Sequence, residues 1–409
     1  MKRHILIVFI CLLTGYIHSQ NDHLYGVEEF SSEALTSSLI NKIVQDNYGF
    51  IWIATDYGLN KFDGVRFIQY LHNENDSKSL ISNNIRTLMV DKENTLWVGS
   101  DKGIQYYQPN ENSFKTIKFP KEITPHIATI YQLKNGNIWA LSSELGFFSI
   151  DKENSSANYL KDITLLTGIS PTHIYEDNHS NIWISIYEKG LIRINPIDQK
   201  HSYYSIPNLP HNNITGIIEG PDNLLYISMT TSICYYDKFK DRFIEIDVDD
   251  STISITDMFV TKKGIIYVST DGQGLKYIDK EKKKLYSVDN IKTSYNYKSA
   301  KIHTLIEDRD QNLWLGCFLK GILMIPNEQT QFNYQRILNK EQQLGSTLTS
   351  IFQDNNDIVW CGTNQDGIIL LDTKGNIIKH ILDVKDIMKI YQGRDKTLWV
   401  ISYNNGLGT

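Results

Sequence analysis

The chain has 409 residues and a formal net charge of −6, and its charged residues (22%) are evenly spread. No basic stripe is present, which disfavours direct nucleic-acid binding by this region. Apolar residues make up 41% and aromatic residues 11%, enough for a large core, so the length allows two or three domains or one large β architecture.

The first nineteen residues have the features of a secretory signal peptide. Lys2 and Arg3 form a positively charged start, residues 5–13 are apolar, and a cleavage site could follow Ser19. The apolar run over residues 5–17 is shorter than the roughly 20 residues that span a bilayer. We therefore expect export without a membrane anchor at this end.

Three cysteines would remain after cleavage, namely Cys234, Cys317 and Cys361. Their number is odd, and their spacing fits neither a metal site nor a redox motif. Each falls in a predicted strand, so we expect buried, free thiols that act as small apolar side chains.

A large aromatic residue recurs along the chain in one local frame, inside an apolar run. The steps between successive marks are 39 to 47 residues. A period in this range predicts a propeller or a related repeat array. The nine marks are Trp52, Trp97, Trp139, Trp183, Tyr226, Tyr267, Trp314, Trp360 and Trp399.

Two further positions repeat around the marks. An Asp six residues before the mark predicts a tight turn, and a Gly six or seven residues after it (Ser232 in the fifth unit) predicts a turn that needs positive φ. The Asp residues are Asp46, Asp91, Asp177, Asp308 and Asp354. The Gly residues are Gly58, Gly103, Gly146, Gly190, Gly274, Gly321, Gly367 and Gly406.

These turns separate four predicted strands in each unit. The run before the Asp is the first strand, the run with the mark is the second, and two more follow the Gly. Four antiparallel strands make one propeller blade, and the aromatic mark is interpreted as a wedge between neighbouring blades. The predicted fold is all-β.

The first unit resembles the two-component regulator propeller repeat. That repeat has the pattern D-x-x-G-x-[IL]-W-[IV]-[GA]-T-x-x-G-[LI]-x-x-[FY]-D, and nine units in phase cover residues 23 to 409. The third, fifth and sixth units depart most from it, since all three lack the Asp and two lack the Trp. The matching residues of the first unit are Asp46, Gly49, Ile51, Trp52, Ile53, Ala54, Thr55, Gly58, Leu59, Phe62 and Asp63.

The resemblance implies tandem seven-bladed propellers in the periplasmic sensor of a Bacteroides-type hybrid histidine kinase. We expect a signal peptide at residues 1–19, a seven-bladed propeller at 23–338, and the first two blades of a second propeller, the last incomplete, at 339–409. The chain would then be an N-terminal fragment without its kinase. The full-length family member would be a homodimer, anchored in the inner membrane only through a segment downstream.

Motifs for chemistry are scarce in these residues. The 11 His residues are scattered singly and are interpreted as solvated or loop residues. No nucleophile elbow or distinct pair of glycosidase carboxylates stands out. The run over residues 308–312 lacks the Gly and terminal Glu of a calcium loop, so it predicts a hairpin turn. We expect no catalytic residues, metal or cofactor, and no enzymatic activity of this chain.

The loops between second and third strands are the best candidate surface. Tyr57, Tyr187, Phe318 and Lys320 place aromatic rings beside polar groups, an arrangement that suits stacking on sugars and hydrogen bonding to hydroxyl groups. The long connections at residues 71–84 and 289–300 are further candidates.

Three functions remain open. The resemblance favours a periplasmic sensor of oligosaccharides that regulates polysaccharide use. A flat, apolar exposed face would instead favour a scaffold that binds proteins. A cluster of titratable groups in one pocket would favour a carbohydrate-active enzyme.

Overall fold

A computed structural model describes residues 27–120, 123–160, 170–187, 189–195, 200–204, 213–248, 252–289, 291, 293–327, 347–372 and 376–409. These residues form 35 β-strands and two 3₁₀ helices, Ser32–Ala34 and Tyr297–Ser299. The predicted signal peptide and the predicted boundary at residues 338 and 339 lie outside the described residues. No helix within the described part is long and apolar enough to cross a membrane.

After β1 (Glu28–Phe30), the strands follow one another in repeating sets. The first strands of the sets are β2 (Ile40–Gln45), β6 (Ile85–Val90), β10 (Ile127–Gln132), β14 (Pro171–Glu176), β18 (Ile214–Glu219), β22 (Ile255–Val260), β26 (Ile302–Glu307), β29 (Leu348–Gln353) and β33 (Ile387–Gln392). The second strands are β3 (Ile51–Thr55), β7 (Leu96–Ser100), β11 (Ile138–Ser142), β15 (Ile182–Ile186), β19 (Leu225–Met229), β23 (Ile266–Thr270), β27 (Leu313–Cys317), β30 (Val359–Thr363) and β34 (Leu398–Ser402). The third strands are β4 (Gly58–Phe62), β8 (Gly103–Gln108), β12 (Gly146–Asp151), β16 (Gly190–Ile194), β20 (Ile233–Asp237), β24 (Leu275–Asp279), β28 (Gly321–Ile325), β31 (Ile368–Leu371) and β35 (Gly406–Gly408). The fourth strands are β5 (Phe67–Tyr70), β9 (Ser113–Thr116), β13 (Ser156–Tyr159), β17 (His201–Tyr204), β21 (Arg242–Glu245), β25 (Lys284–Ser287) and β32 (Ile377–Ile381).

Each set forms one antiparallel sheet in which consecutive strands pair, which confirms the predicted all-β fold. Among the described residues, eight sheets have four strands and the last has three. We number them sheet 1 (β2–β5) to sheet 9 (β33–β35) in chain order. Every first strand contains a bulge after its first residue, as between Ile40 and Lys42 in sheet 1. Such a bulge bends the strand and increases its twist.

The N-terminal strand completes the seventh sheet. Strand β1 pairs antiparallel with β28, so that Phe30 lies opposite Ile322. The first strands of sheets 1 to 7 pack against one another in order, and β26 of sheet 7 packs against β2 of sheet 1. Sheets 1 to 7 therefore form a ring. The fourth strand of its seventh sheet is β1, which comes from the start of the sequence.

The aromatic marks fill the spaces between sheets. Trp52, for example, lies in one apolar cluster with Leu88 and Leu96 of sheet 2. Trp139, Tyr267, Trp360 and Trp399 are partly exposed. The five buried marks are Trp52, Trp97, Trp183, Tyr226 and Trp314.

The repeated Asp does more than close a turn. Asp91 accepts hydrogen bonds from the backbone N–H groups of Glu93 and Thr95, and its Oδ2 accepts one from Trp97 Nε1 at 2.8 Å. The same indole-to-carboxylate bond occurs in sheets 1, 4, 7 and 8. One carboxylate thus fixes both the hairpin and the orientation of the wedge.

The repeated Gly adopts the positive φ that the turn requires. Gly321 has φ of +85°, and a Cβ at this position would lie 2.1 Å from the carbonyl oxygen of Phe30 in β1. Gly367 is similarly confined, since a Cβ there would lie 2.0 Å from the carbonyl oxygen of Ile381. At both places a side chain would disturb the adjacent outer strand.

The chain divides into two compact units, one up to Thr330 with sheets 1 to 7 and one from Gln331 with sheets 8 and 9. The three cysteines Cys234, Cys317 and Cys361 are buried and free, as predicted.

Candidate functional site

The loops between second and third strands are anchored at the inner edge of the ring. In sheet after sheet, the first loop residue donates its backbone N–H to the carbonyl that precedes the first strand. This contact holds the loop starts beside the innermost strands, at one end of the ring, and we call this surface the loop face. The bonds run from Asp56 to Leu39, from Asp101 to Asn84, from Tyr187 to Ser170, from Thr230 to Asn213, from Asp271 to Ser254 and from Phe318 to Lys301.

Three of these loop starts are carboxylates. Among the described residues, one buried side-chain oxygen each of Asp56, Asp101 and Asp271 has no hydrogen-bond partner. That oxygen of Asp271 nevertheless lies 3.0 Å from Lys301 Nζ, in an ion pair. The starts of these loops therefore carry acidic side chains, each with one oxygen shielded from solvent.

The predicted site residues Phe318 and Lys320 lie on one loop of sheet 7. The Phe318 ring packs against His303 with 5.4 Å between centroids, and Lys301 Nζ lies 5.8 Å from the Phe318 centroid. Lys320 Nζ lies 5.5 Å from the ring centroid of Tyr295. Burial lowers the pKa of His303, while the Asp271 carboxylate opposes that shift. Aromatic faces and charged groups thus alternate on this loop.

Tyr57 lies on the neighbouring sheet. Leu319 donates its N–H to the carbonyl of Ser38, and Asp56 donates to Leu39, so that one short segment anchors the loops of sheets 7 and 1. The Tyr57 side chain is 56% exposed, which leaves it free to contact a ligand.

Tyr187 is 47% exposed on the loop face, but it belongs to sheet 4. Two sheets lie between it and sheet 1 in one direction along the ring and three in the other. The structure therefore groups Tyr57, Phe318 and Lys320 and leaves Tyr187 apart. Glu188, the next residue of that loop, lies outside the described residues.

A polar cleft lies against the connection predicted as a candidate at residues 289–300. Its volume is about 210 Å³. Lys298 Nζ and Asp289 Oδ1 form an ion pair of 2.9 Å at its edge. The polar and aromatic side chains that line the cleft are Gln273, Lys276, Ser287, Asp289, Tyr297 and Lys298.

A second cluster, which the sequence did not indicate, lies where the first strands converge. Lys42 of sheet 1 and Asp257 of sheet 6 face each other, with 3.8 Å between Nζ and Oδ2. His173 of sheet 4 also interacts with Lys42. We call these three residues the channel triad, since groups from sheets 1, 4 and 6 can meet only inside the ring.

The pKa values of two channel-triad residues, His173 and Asp257, are shifted. Burial, assisted by the charge of Lys42, lowers the pKa of His173 to about 4. Burial raises the pKa of Asp257, and Lys42 opposes this shift. His173 lies on a first strand inside the ring and is partly buried, so it is not a loop residue.

Metal coordination has no evident place among these groups. Within the described residues, no three His, Cys, Asp or Glu side chains come together in a way that could hold an ion. The predicted hairpin at residues 308–312 is present: Asp308 accepts hydrogen bonds from the backbone of Asp310 and Asn312 and from the indole of Trp314.

The fold has counterparts among solved structures. The extracellular domain assigned to a hybrid two-component system of B. thetaiotaomicron, BT3049, is 20% identical with a TM-score of 0.66, covering 94% of this chain and 53% of that one. The corresponding domain assigned to BT4673 is 19% identical with a TM-score of 0.61, covering 92% and 51%. This chain thus spans about half the length of either structure.

An enzyme has the same fold. Virginiamycin B lyase from Staphylococcus aureus is 13% identical with a TM-score of 0.59, covering 74% of this chain and 99% of the lyase. At such identities these likenesses establish the fold alone. No curated protein matches the chain.

A family model described as "Two component regulator propeller" matches residues 34–57 and 79–102. Each match spans the first and second strands of one sheet, β2 with β3 and β6 with β7. These are the strands that carry the repeated Asp and Trp. Two repeats of this chain, in sheets 1 and 2, therefore match the model of that family.

Proposed function

We propose that this chain is the ligand-sensing region of a two-component sensor histidine kinase and that it binds an oligosaccharide at its loop face to regulate polysaccharide use. The observation that carries the proposal is the group formed by Tyr57, Phe318 and Lys320, where an exposed ring and a partly buried ring lie with lysine side chains on adjacent sheets. The repeat family and the solved extracellular domains support the sensor role.

The proposal includes an architecture and a location. Residues 1–19 direct export to the periplasm, residues 23–338 form one closed seven-bladed propeller, and residues 339–409 begin a second. The packing of β26 against β2 supports the first propeller. In sheets 8 and 9, Ile351 and Met388 of the first strands are 61% and 55% exposed, which fits a second propeller with further blades. The full-length protein would be a homodimer anchored in the inner membrane downstream.

Calorimetry with a panel of oligosaccharides tests the site. We expect Phe318→Ala, Lys320→Ala and Tyr57→Ala each to weaken binding about tenfold or more, which corresponds to about 1.4 kcal/mol. Tyr187→Ala should have a smaller effect because it lies apart from the group. Tyr48→Ala, in the turn between β2 and β3, is a matched control for loss of an exposed ring. Undiminished affinity in all four loop-face variants would place the site elsewhere.

A carbohydrate-active enzyme is the second candidate, and the channel triad is the observation that favours it. Lys42, His173 and Asp257 bring three titratable groups together inside the ring, and the pKa values of His173 and Asp257 are shifted. We expect no turnover of this kind. Release of new reducing ends from a glycan panel, lost in His173→Gln, would establish the enzyme and contradict that expectation.

A further inference from the structure

The interfaces between consecutive sheets are filled by three side chains at fixed positions. The first is the aromatic mark on the second strand of one sheet. The second is the residue of the outer, fourth strand that lies opposite the start of the third strand of that sheet. The third lies near the end of the third strand of the next sheet. Between sheets 1 and 2 these are Trp52, Tyr70 and Tyr107, with centroids of Tyr70 and Tyr107 at 5.8 and 4.9 Å from that of Trp52.

The interface between sheets 4 and 5 repeats this aromatic set. Trp183, Tyr204 and Tyr236 occupy the same registers, with centroid distances of 5.3 and 5.1 Å from the indole. In both interfaces the indole is fully buried and donates its N–H to the repeated Asp. One indole ring and two phenol rings together therefore fill the space between two consecutive sheets.

The interface between sheets 6 and 7 has smaller residues at all three positions. The pairing of β23, β24 and β25 and of β27 with β28 places Tyr267, Val288 and Ile325 there. The repeated Asp is also missing, since Thr261 stands in its place and its hydroxyl accepts a hydrogen bond from the backbone N–H of Ile265. This sheet therefore lacks both the indole and its acceptor.

A cavity of about 150 Å³ lies at this interface. Its apolar wall is formed by Tyr267, Leu275, Val288, Ile291, Leu313 and Ile325. At its polar rim Lys263 Nζ donates a hydrogen bond to Asn327, and the Glu307 carboxylate accepts one from the backbone N–H of Lys262. An apolar interior with acceptors at the mouth has the layout of a small-molecule site.

We propose that this cavity binds a small planar heteroaromatic molecule of the indole class. Such a ring would occupy a volume like the one that Trp52 and Trp183 fill between sheets 1 and 2 and between sheets 4 and 5, and its N–H would meet Glu307 or Gln311 at the rim. An apolar protein cavity of about 150 Å³ is large enough to hold a benzene ring. The site lies between sheets 6 and 7 and is distinct from Tyr57, Phe318 and Lys320, so it does not depend on the proposed oligosaccharide site.

The test measures the affinity of indole for the chain by calorimetry and by ligand-observed NMR. We expect saturable binding with one site, and at least a tenfold loss of affinity in Tyr267→Trp, because the new side chain fills the cavity. Val288→Phe reduces the volume of the same cavity from the residue that follows β25, and we expect the same loss of affinity for indole. Tyr48→Trp adds an exposed indole outside the cavity and should bind like the parent chain.

Thermal unfolding of each variant identifies those that fold, and binding is compared among these. If Tyr267→Trp does not fold, Val288→Phe tests the proposal. If Val288→Phe does not fold, Tyr267→Trp tests it. No saturable binding of indole to the parent chain would overturn the proposal. Equal binding by a folded cavity-filling variant would overturn it too, since the ring would then sit elsewhere.

Discussion

The contact between Trp97 and Asp91 shows how one residue pair stabilises a whole interface. Trp97 is fully buried, and its N–H would lack a partner without the Asp91 carboxylate. Asp91 is itself buried and uses its other oxygen to hold the hairpin backbone. Because an unpaired buried polar group costs about 1–3 kcal/mol, the two residues depend on each other.

We expect Trp97→Ala to lower the free energy of unfolding by about 3–5 kcal/mol, the usual cost of deleting a large buried ring. Asp91→Ala should cost about 2–4 kcal/mol because it leaves the indole and two backbone N–H groups without an acceptor. Urea titration of both variants measures these losses. Urea titration of Trp97→Phe with and without Asp91→Ala measures the energetic coupling between the two residues. Trp97→Ala with an unchanged midpoint would contradict the wedge interpretation.

His173 makes stability depend on pH. In the unfolded chain its imidazole takes up a proton near 6.5, but inside the ring only near 4. Between these values the unfolded state binds more protons, so stability is complete above pH 6.5 and is lost as the pH falls towards 4. The raised pKa of Asp257 acts in the opposite direction, since its protonation in the folded state favours folding in acid.

We expect the parent chain to lose up to roughly 3 kcal/mol between pH 6.5 and 4, less any compensation from Asp257. His173→Gln cannot take up the proton and should show a shallower slope over this range. Urea midpoints at closely spaced pH values measure the difference. Identical slopes for the two proteins would show that His173 is freely protonated in the folded state.

At the scale of single elements, the turn before each third strand depends on a Gly whose surroundings differ from sheet to sheet. Gly321 and Gly146 have nearly equal φ values of +85° and +83°. A Cβ on Gly321 would collide with the carbonyl oxygen of Phe30, whereas no atom of the described residues lies within 4 Å of a Cβ on Gly146. Substitutions at these two glycines therefore distinguish the cost of backbone strain from the cost of a steric collision.

Gly146→Ala should cost about 1–2 kcal/mol, the penalty for an L side chain in this conformation. Gly321→Ala should cost about 1–3 kcal/mol more, because β1 must move away from β28. Thermal or urea unfolding of both variants gives the difference. Equal losses would mean that the outer strand adapts without cost.

Sequence patterns predicted the individual sheets well because their determinants are local. The Asp at 46 and the Gly at 58 each act within one hairpin, and the Trp at 52 donates its indole N–H to that Asp, so a period in the sequence becomes a period in the structure. The fourth strand of sheet 7 could not be found this way. Glu28–Phe30 carries no mark of its own, and its pairing with β28 depends on contacts with a distant part of the chain.

The candidate site could be predicted only where its residues are close together in the sequence. Phe318 and Lys320 share a loop, so their proximity followed from the turn between β27 and β28. The channel triad did not follow, since Lys42, His173 and Asp257 lie on different sheets and each has only uncharged neighbours in its own strand apart from Glu176. Only closure of the ring brings their side chains together.

For the whole molecule, β1 is the element that joins the two ends of the ring. The Phe30 ring stacks on Trp314 at a centroid distance of 5.6 Å and an interplanar angle of 7°. Without β1, strand β28 would become an open edge with unpaired backbone groups and an exposed apolar surface.

A chain that begins at Ser32 should therefore unfold earlier than one that begins at Val27. We expect a loss of about 3 kcal/mol or more, or roughly 6–12 °C at the 2–4 °C per kcal/mol typical of large domains, together with increased aggregation. Calorimetry and light scattering on the two chains measure both effects. Matching melting temperatures would show that sheets 1 to 7 are held together without β1.

The pairing of β1 with β28 also has a consequence for biosynthesis. The paired residues Phe30 and Ile322 are about 290 positions apart, and the ribosome adds roughly 5–20 residues per second. The first strand to be made must therefore wait roughly 15–60 seconds for its partner, whereas each hairpin can form within microseconds of emerging. During that interval the nascent chain carries a free edge strand, which makes ring closure the step at which a chaperone would have the greatest effect on yield.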